Sequence, residues 1–201
     1  MMNSKILRNF LYIIISVVIS FFIYRFITIR LIDFLPFVIN NPIPFYIIIV
    51  LFQAIIIYII LNGIQNNELD NKSKKMLWIQ YFIVVIFLLF GRNIGSKGVE
   101  LNLFIAIKDW FSDSFSIVIT IANFLMFIPL SFFFRNKNLI YSILSIIGIV
   151  FCIEITQYLL SLGILDVGDI LLNCLGFLLG RLFFKSKLVS KYERFLEINK
   201  K

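Results

Sequence analysis

The sequence predicts an all-α integral membrane protein with about six transmembrane helices and an amphipathic interfacial helix at 99–111. Three observations support this fold class. Hydrophobic residues make up 61% of the 201 residues, more than the interior of a soluble domain of this length can hold. They fall in six runs, each close to the length of a helix that spans a hydrocarbon core of about 30 Å. Lys and Arg gather in alternate connections, a distribution typical of membrane proteins.

The six predicted spans follow one another with turn-forming residues between them. Their bounds are 7–29, 43–62, 76–91, 115–134, 138–161 and 168–184. Pro, Gly, Asn and Ser interrupt the apolar pattern in the connections, as in NNPIP at 40–44 and SLGILDVG at 161–168. The first run follows Lys5 and Arg8 as in a signal peptide, but it is long and no cleavage motif follows it. We therefore expect it to be a retained helix.

The distribution of positive charge predicts the orientation of the spans. Fourteen of the 19 Lys and Arg residues lie on the side of the membrane that carries both termini, and five lie on the other side. Cytoplasmic loops are enriched in these residues, so both termini are predicted to be cytoplasmic. The predicted organisation is two N-terminal helices with a cytoplasmic loop at 1–75, a four-helix membrane domain at 76–184 and a basic cytoplasmic tail at 185–201.

Composition also excludes several kinds of site. The chain has no His, which rules out imidazole catalysis and His ligation of a metal. Cys152 and Cys174 lie in apolar runs and are expected to be small packing residues, with a disulfide or thiol chemistry as the alternative. No cofactor and no metal site is predicted. The net charge of +8 forms no basic face outside the apolar runs, so we expect membrane lipids and no nucleic acid as partners.

The segment VELNLFIAIKDWF, at 99–111, has the pattern of an amphipathic helix. Its large apolar residues share one helical face, and its charged residues lie off that face. The apolar face consists of Leu103, Phe104, Ile107, Trp110 and Phe111. We expect this helix to lie in the outer membrane interface, and the alternative is a loop that packs on the bundle.

Polar residues recur at helical spacing inside the last three spans. Glu154 and Gln157 share one face of the fifth span, and Asp169 and Asn173 share one face of the sixth. A charge at the centre of a membrane helix costs about 2.5–3.5 kcal/mol, so such residues usually face a bundle interior or a wet cavity. We therefore expect a polar cluster in the outer half of the bilayer, in which Glu154 meets Asn173. The predicted members are Glu154, Gln157, Asp166, Asp169, Asn173, Asn123, Arg92 and Asn102.

These residues also have purely structural interpretations. Asn123 and Asn173 could simply form hydrogen bonds between helices. Asp166 could be a solvated or helix-capping acid, and Asp169 suits the positive end of a helix dipole. Glu154 is the hardest to explain in this way, because a membrane-embedded acid without a purpose is costly. In a dry pocket it could be protonated and donate to Asn173.

Three further residues are predicted to shape helix packing. Gly176 and Gly180 form a small-xxx-small pair, which allows two helices to approach closely. Pro129 lies within the fourth span and is expected to kink it, with a neighbour satisfying the freed carbonyl.

Four segments resemble the VanZ-like family of small bacterial membrane proteins. They are ELNLF at 100–104, ANFLMFIPLSF at 122–132, IEITQ at 153–157 and DVGDILLNCLGFLLG at 166–180. The resemblance covers about 92–184 and leaves the first two spans outside. It implies a multi-pass protein of the bacterial plasma membrane and low-level resistance to lipid-anchored glycopeptide antibiotics such as teicoplanin.

Three functions remain open at this point. The first is a non-enzymatic envelope protein whose polar cluster binds a lipid-linked cell-wall precursor or the glycopeptide antibiotic. The second is an intramembrane enzyme in which Glu154 and Asp169 act as acid and base on a lipid-linked substrate. The third is a proton-coupled transporter, which the absence of an internal repeat makes less favoured.

Overall fold

A computed structural model describes residues 4–29, 42–66, 68–91 and 95–186. The described residues divide into two compact units, one that ends at Val84 and one that begins at Val85. The elements in chain order are α1 (Ser4–Ile23) with a π-helical extension (Tyr24–Thr28), α2 (Pro42–Asn66), α3 (Asn71–Phe90), β1 (Ser96–Glu100), α4 (Leu103–Asp109), α5 (Ser114–Met126), a 3-10 helix (Pro129–Phe134), α6 (Leu139–Leu159), β2 (Leu162–Asp166) and α7 (Val167–Lys185).

In the part of the chain that the structure describes, six helical segments are long and apolar enough to cross a membrane, which confirms the predicted fold class. They are Ile6–Thr28, Ile43–Asn66, Asn71–Phe90, Ser116–Phe134, Leu139–Leu159 and Val167–Lys185. Most of their large apolar side chains are exposed, as in Phe22, Ile48, Ile86 and Leu182. A soluble protein does not expose apolar surface on this scale, whereas lipid covers it in a multi-pass membrane protein.

Hydrogen bonds between side chains and backbone hold α1 against α2 in the first unit. The Ser20 hydroxyl is fully buried and donates to the Val50 carbonyl oxygen at 2.6 Å. A second hydrogen bond joins two side chains at one end of the α1–α2 contact, where Gln53 Nε2 donates to Thr28 Oγ1 at 2.5 Å. Apolar surface gives helices little reason to associate in lipid, so small polar groups at the contact supply part of the attraction.

Aromatic and aliphatic side chains fill the interior of the second unit. Val150 and Phe177 are completely buried, and Ile146 and Phe127 nearly so. The Phe177 ring packs edge-on against Phe134, with ring centroids 5.3 Å apart. This core lies between α6, α7 and the 3-10 helix, and it fixes the helices that carry the predicted polar cluster.

Helices α5 and α7 touch at two glycines of α7. A Cβ atom added at Gly176 would lie inside the contact radius of the Phe124 carbonyl oxygen. At Gly180 an added Cβ would lie 2.5 Å from both the Ile128 carbonyl oxygen and Ser131 Oγ. Both positions exclude any side chain larger than hydrogen, so the predicted small-xxx-small pair lies at a close helix contact.

Pro129 changes the type of helix rather than bending one. Helix α5 ends at Met126, and Pro129 is the first residue of the 3-10 helix, where its missing N–H removes no bond. Two buried arginines bond the carbonyls at the far end of this helix. Arg135 Nη1 donates to Phe132 O at 3.0 Å, and Arg181 Nε donates to Phe134 O at 3.3 Å. These bonds satisfy carbonyls after Pro129, and the expectation for the carbonyl that Pro129 frees stays a prediction.

A two-stranded parallel sheet replaces what the sequence predicted to be two loops. Strand β1 pairs with β2 from Ser96↔Leu162 to Glu100↔Asp166. Because β1 takes residues 99 and 100, the amphipathic helix is shorter than the predicted 99–111. On this short α4, Phe104 is 85% exposed, Phe111 just beyond it is 68% exposed, and Ala106 is buried. Phe104 and Phe111 therefore point away from the protein, as an interfacial helix requires, whereas Trp110 of the same predicted face has a buried Nε1 atom.

Replacing Gly176 by Ala is expected to destabilise the protein by about 3 kcal/mol, because the added methyl group overpacks the α5–α7 contact. The matched control is Gly148→Ala in α6, where an added Cβ has no neighbour within 4 Å. Its expected effect is between neutral and about 1 kcal/mol stabilising, since Ala favours helix over Gly. Thermal unfolding in detergent measures both variants. Equal unfolding temperatures would contradict the close contact.

Candidate functional site

Five of the predicted residues come together where α5, α6 and α7 adjoin the sheet. We call Asn123, Glu154, Asp166, Asp169 and Asn173 the polar cluster. Asn123, Glu154 and Asn173 are almost fully buried, at 4%, 3% and 2% exposure, and the two aspartates are half-buried. Burial of this degree in an apolar unit costs free energy unless the polar atoms find partners.

Asn123 and Asp169 join α5 to α7 directly. The Asn123 side-chain Nδ2 donates to Asp169 Oδ1 at 2.8 Å. Asp169 lies in the first turn of α7, where the helix dipole favours a negative charge. The bond is possible because Gly176, two turns further along α7, brings the backbones of the two helices together. The bond brings polar side chains of α5 and α7 together, and a functional role for them stays a prediction.

Glu154 contacts β2. Its Oε2 accepts a hydrogen bond from the Asp166 backbone N–H, with a distance of 3.5 Å. The connection explains this contact: Ser161 has a left-handed φ of 54°, and the chain then runs as β2, whose last residue lies at Glu154. Among the described residues no hydrogen bond joins Glu154 to Asn173, so their expected meeting stays a prediction.

Asn173 retains an unused acceptor deep in the helix bundle. Its Oδ1 is buried and has no hydrogen-bond partner among the residues that the structure describes. A buried acceptor left without a donor costs about 1–3 kcal/mol. Asn173 is one turn from Asp169 on the same face of α7, so the unused oxygen belongs to the polar cluster.

Asp166 ends β2 and begins α7. Its Oδ1 accepts from the Gly168 backbone N–H at 2.7 Å, the geometry of a helix N-cap. Partial burial raises the pKa of Asp166, and the neighbouring carboxylates Glu100 and Asp109 raise it further, against a lowering by the Gly168 bond. The capping alternative is thus observed, at the edge of the cluster where acidic side chains converge.

Two predicted residues, Gln157 and Asn102, make contacts outside this group. Gln157 is buried and donates through Nε2 to the Leu89 carbonyl oxygen at 2.7 Å, which is a structural contact between α6 and α3. Asn102 is exposed, and its side chain caps α4 by accepting from Phe104 N at 3.0 Å. Arg92 lies outside the described residues.

Two residues next to the cluster were missed by sequence reasoning. Gly168 is buried, and a Cβ added there would lie 2.6 Å from Ala106 Cβ and 3.1 Å from Trp110 Nε1. The Trp110 Nε1 atom is buried without a hydrogen-bond partner in the described part of the chain. Helix α4 therefore packs on the first turn of α7. The Gly in DVGD was a signal for this contact, but only the α4 position shows what it contacts.

The polar cluster has the chemistry of a binding site. Its carboxylate and amide oxygens accept hydrogen bonds, and its amide groups donate them. The cluster holds no hydroxyl, thiol or amine that could act as a nucleophile. Within the described ranges, no group of three His, Cys, Asp or Glu residues is placed to hold a metal ion.

The raised pKa of Asp166 predicts how stability depends on pH. The folded state holds the Asp166 proton more tightly than the unfolded state does. The bound proton therefore contributes to the free energy of unfolding. That contribution is complete when the pH is below the ordinary Asp pKa of 3.8, and it is lost as the pH rises through the raised pKa. Asp166→Asn keeps a capping side chain without the charge. Its gain in unfolding temperature over wild type is expected to grow as the pH rises above about 4.

The control for this prediction is Asp166→Ala, which removes both the cap and the charge. It is expected to lack the capping contribution, about 1 kcal/mol, at every pH. Thermal unfolding in detergent between acidic and neutral pH measures both variants. A constant difference between wild type and Asp166→Asn across that range would contradict the raised pKa.

Comparison with known proteins places the chain in a family. The family model described as VanZ/LLP1 matches residues 45–189. The match includes helix α2, which the sequence resemblance had left outside, together with all five residues of the polar cluster. No curated protein and no solved structure matches the chain significantly. Since the family model covers well over half of the chain, this multi-pass membrane protein belongs to the VanZ/LLP1 family.

Proposed function

We propose that this protein binds the polar headgroup of a lipid-linked cell-wall intermediate, or of a lipid-anchored glycopeptide such as teicoplanin, at the outer surface of the bacterial plasma membrane. The observation that carries the proposal is the unsatisfied acceptor Asn173 Oδ1 beside the Asn123–Asp169 pair. A ligand hydroxyl or amide that donates to this oxygen would offset its desolvation. Both ligand classes carry such donors.

The surroundings of the polar cluster suit a ligand with a lipid chain. Helix α4 packs on the first turn of α7 at Gly168 and exposes Phe104 away from the protein. An apolar helix at the membrane surface next to a polar site can contact an acyl chain while the headgroup reaches the polar residues. This juxtaposition supports a lipid-linked ligand over a soluble one.

Binding is favoured over catalysis because of the residue types in the cluster. Two amides and three carboxyl groups provide hydrogen bonds, and none of them is a strong nucleophile. The expected consequence is sequestration: a protein that holds the precursor or the antibiotic at the outer surface changes what reaches the cell-wall machinery. Resistance to a lipid-anchored glycopeptide would follow without any chemical change to the drug.

Expression in a sensitive Gram-positive host is expected to raise tolerance to teicoplanin more than tolerance to vancomycin. Asp169→Asn keeps the shape of the side chain but removes its charge, and it is expected to abolish the teicoplanin effect. Glu154→Gln is expected to do the same. Minimum inhibitory concentrations measure the effect, and immunoblots confirm equal membrane levels of each variant.

The matched control is Asp113→Asn, which removes an exposed carboxylate outside the polar cluster and keeps an oxygen that can accept from Ser116 N. It is expected to retain the wild-type tolerance. Loss of tolerance in Asp113→Asn to the same extent as in Asp169→Asn would contradict a role for the cluster. So would full tolerance in Asp169→Asn and Glu154→Gln.

The orientation on which the proposal depends can be measured with single cysteines. In a background without Cys152 and Cys174, Ile164→Cys puts a thiol at the exposed position of β2, and Asn136→Cys puts one on the exposed loop before α6. A membrane-impermeant maleimide added to intact cells is expected to label position 164. Position 136 is expected to react only after permeabilisation, since positive charge predicts it to be cytoplasmic. The reverse pattern would overturn the outer placement.

A further inference from the structure

A second polar site lies in the unit that contains α1 and α2, and it shares no residue with the polar cluster. A cavity of about 820 Å³ opens there, within the size range of small-molecule binding sites. Its polar walls include Arg8 from α1, Asn62 and Asn66 from α2, and Glu68, Asp70 and Ser73 around the start of α3.

The cavity lies at the level of the lipid headgroups. Arg8 is in the first turn of the candidate span that begins at Ile6. The second span ends at Asn66, and the third begins at Asn71. Because spans begin and end where hydrocarbon gives way to water, a cavity lined by these three ends faces the membrane surface. The charge distribution predicts that this surface is the cytoplasmic one.

Arg8 gives one wall a positive charge with an unused hydrogen-bond donor. Its Nε atom is buried and has no hydrogen-bond partner among the described residues. A guanidinium group matches the oxygens of a phosphate, often through two parallel hydrogen bonds. This wall of the cavity therefore favours a phosphate group.

The acidic residues of the lining favour a cation. They are Glu68 and Asp70, whose side chains are exposed. A hydrogen bond from the Ser73 hydroxyl holds the pKa of Asp70 below its ordinary value, so this carboxylate is ionised at neutral pH. Helix α2 ends at Asn66 beside them, and the carbonyls of a helix C-terminus add negative potential.

We propose that this cavity binds a phosphate ester that carries a primary ammonium group, the chemistry of a phosphatidylethanolamine headgroup. The phosphate would contact Arg8, and the ammonium would contact Glu68 and Asp70. A purely anionic headgroup would satisfy Arg8 but would meet two carboxylates without a cation. A choline headgroup has the charge but no N–H to donate to them.

Native mass spectrometry of the full-length protein, titrated with defined lipids in detergent, tests this proposal. Phosphatidylethanolamine is expected to bind about ten-fold more tightly than phosphatidylcholine or phosphatidylglycerol. Arg8→Gln and Glu68→Gln are each expected to remove this preference. The matched control is Arg25→Gln, which removes an exposed positive charge from the other end of the same span and is expected to keep it.

Soluble O-phosphoethanolamine distinguishes a lipid from a free ligand of the same chemistry. If phosphatidylethanolamine binds and O-phosphoethanolamine does not, the ligand is a membrane lipid. If both bind and Glu68→Gln weakens both, the cavity recognises the headgroup chemistry itself. Equal binding of the ethanolamine and choline lipids would overturn the proposal, and so would a preference that survives Glu68→Gln. Glu68 is exposed, so this variant remains informative even if Arg8→Gln fails to fold.

Discussion

The backbone contact between α5 and α7 is the feature on which the rest of the second unit depends. Gly176 and Gly180 present no side chain, so the Phe124 and Ile128 carbonyls come directly against α7. Two turns towards the start of α7, the same approach brings Asn123 within hydrogen-bonding distance of Asp169. A larger residue at either glycine would separate the helices, and the buried amide and carboxylate would lose each other as partners. The close packing at the two glycines is therefore also what allows the Asn123–Asp169 hydrogen bond to form.

The polar cluster is stable because most of its atoms are satisfied from nearby. Asp166 caps helix α7, and Glu154 accepts a hydrogen bond from the backbone of β2. Asn123 donates a hydrogen bond to Asp169. Asn173 is the exception, since its Oδ1 has no donor among the described residues. A buried polar group that remains unsatisfied in an otherwise satisfied set is the kind of atom that ligands complete. The proposed binding function rests on this unsatisfied Asn173 oxygen.

The sequence predicted the membrane spans well because each is a continuous apolar run whose length is set by the bilayer. Small-residue spacing likewise pointed to Gly176 and Gly180, and helical spacing placed Asp169 and Asn173 on one face. The pairing of β1 with β2 was not predictable, because it joins two five-residue segments more than sixty residues apart and neither shows a strand pattern. The same unforeseen strand explains why Glu154 accepts from the Asp166 backbone. The membership of Arg92 in the polar cluster stays a prediction.

The most direct test of the account is the affinity of the purified protein for its proposed ligands in lipid nanodiscs. Fluorescent lipid-linked cell-wall precursor and teicoplanin would each be titrated against wild type and Asp169→Asn, with vancomycin as the glycopeptide that lacks the lipid chain. The account predicts saturable binding of at least one lipid-linked ligand, weakened about ten-fold in Asp169→Asn, and no comparable binding of vancomycin. Equal binding by wild type and Asp169→Asn, or binding no greater than that of empty nanodiscs, would contradict it.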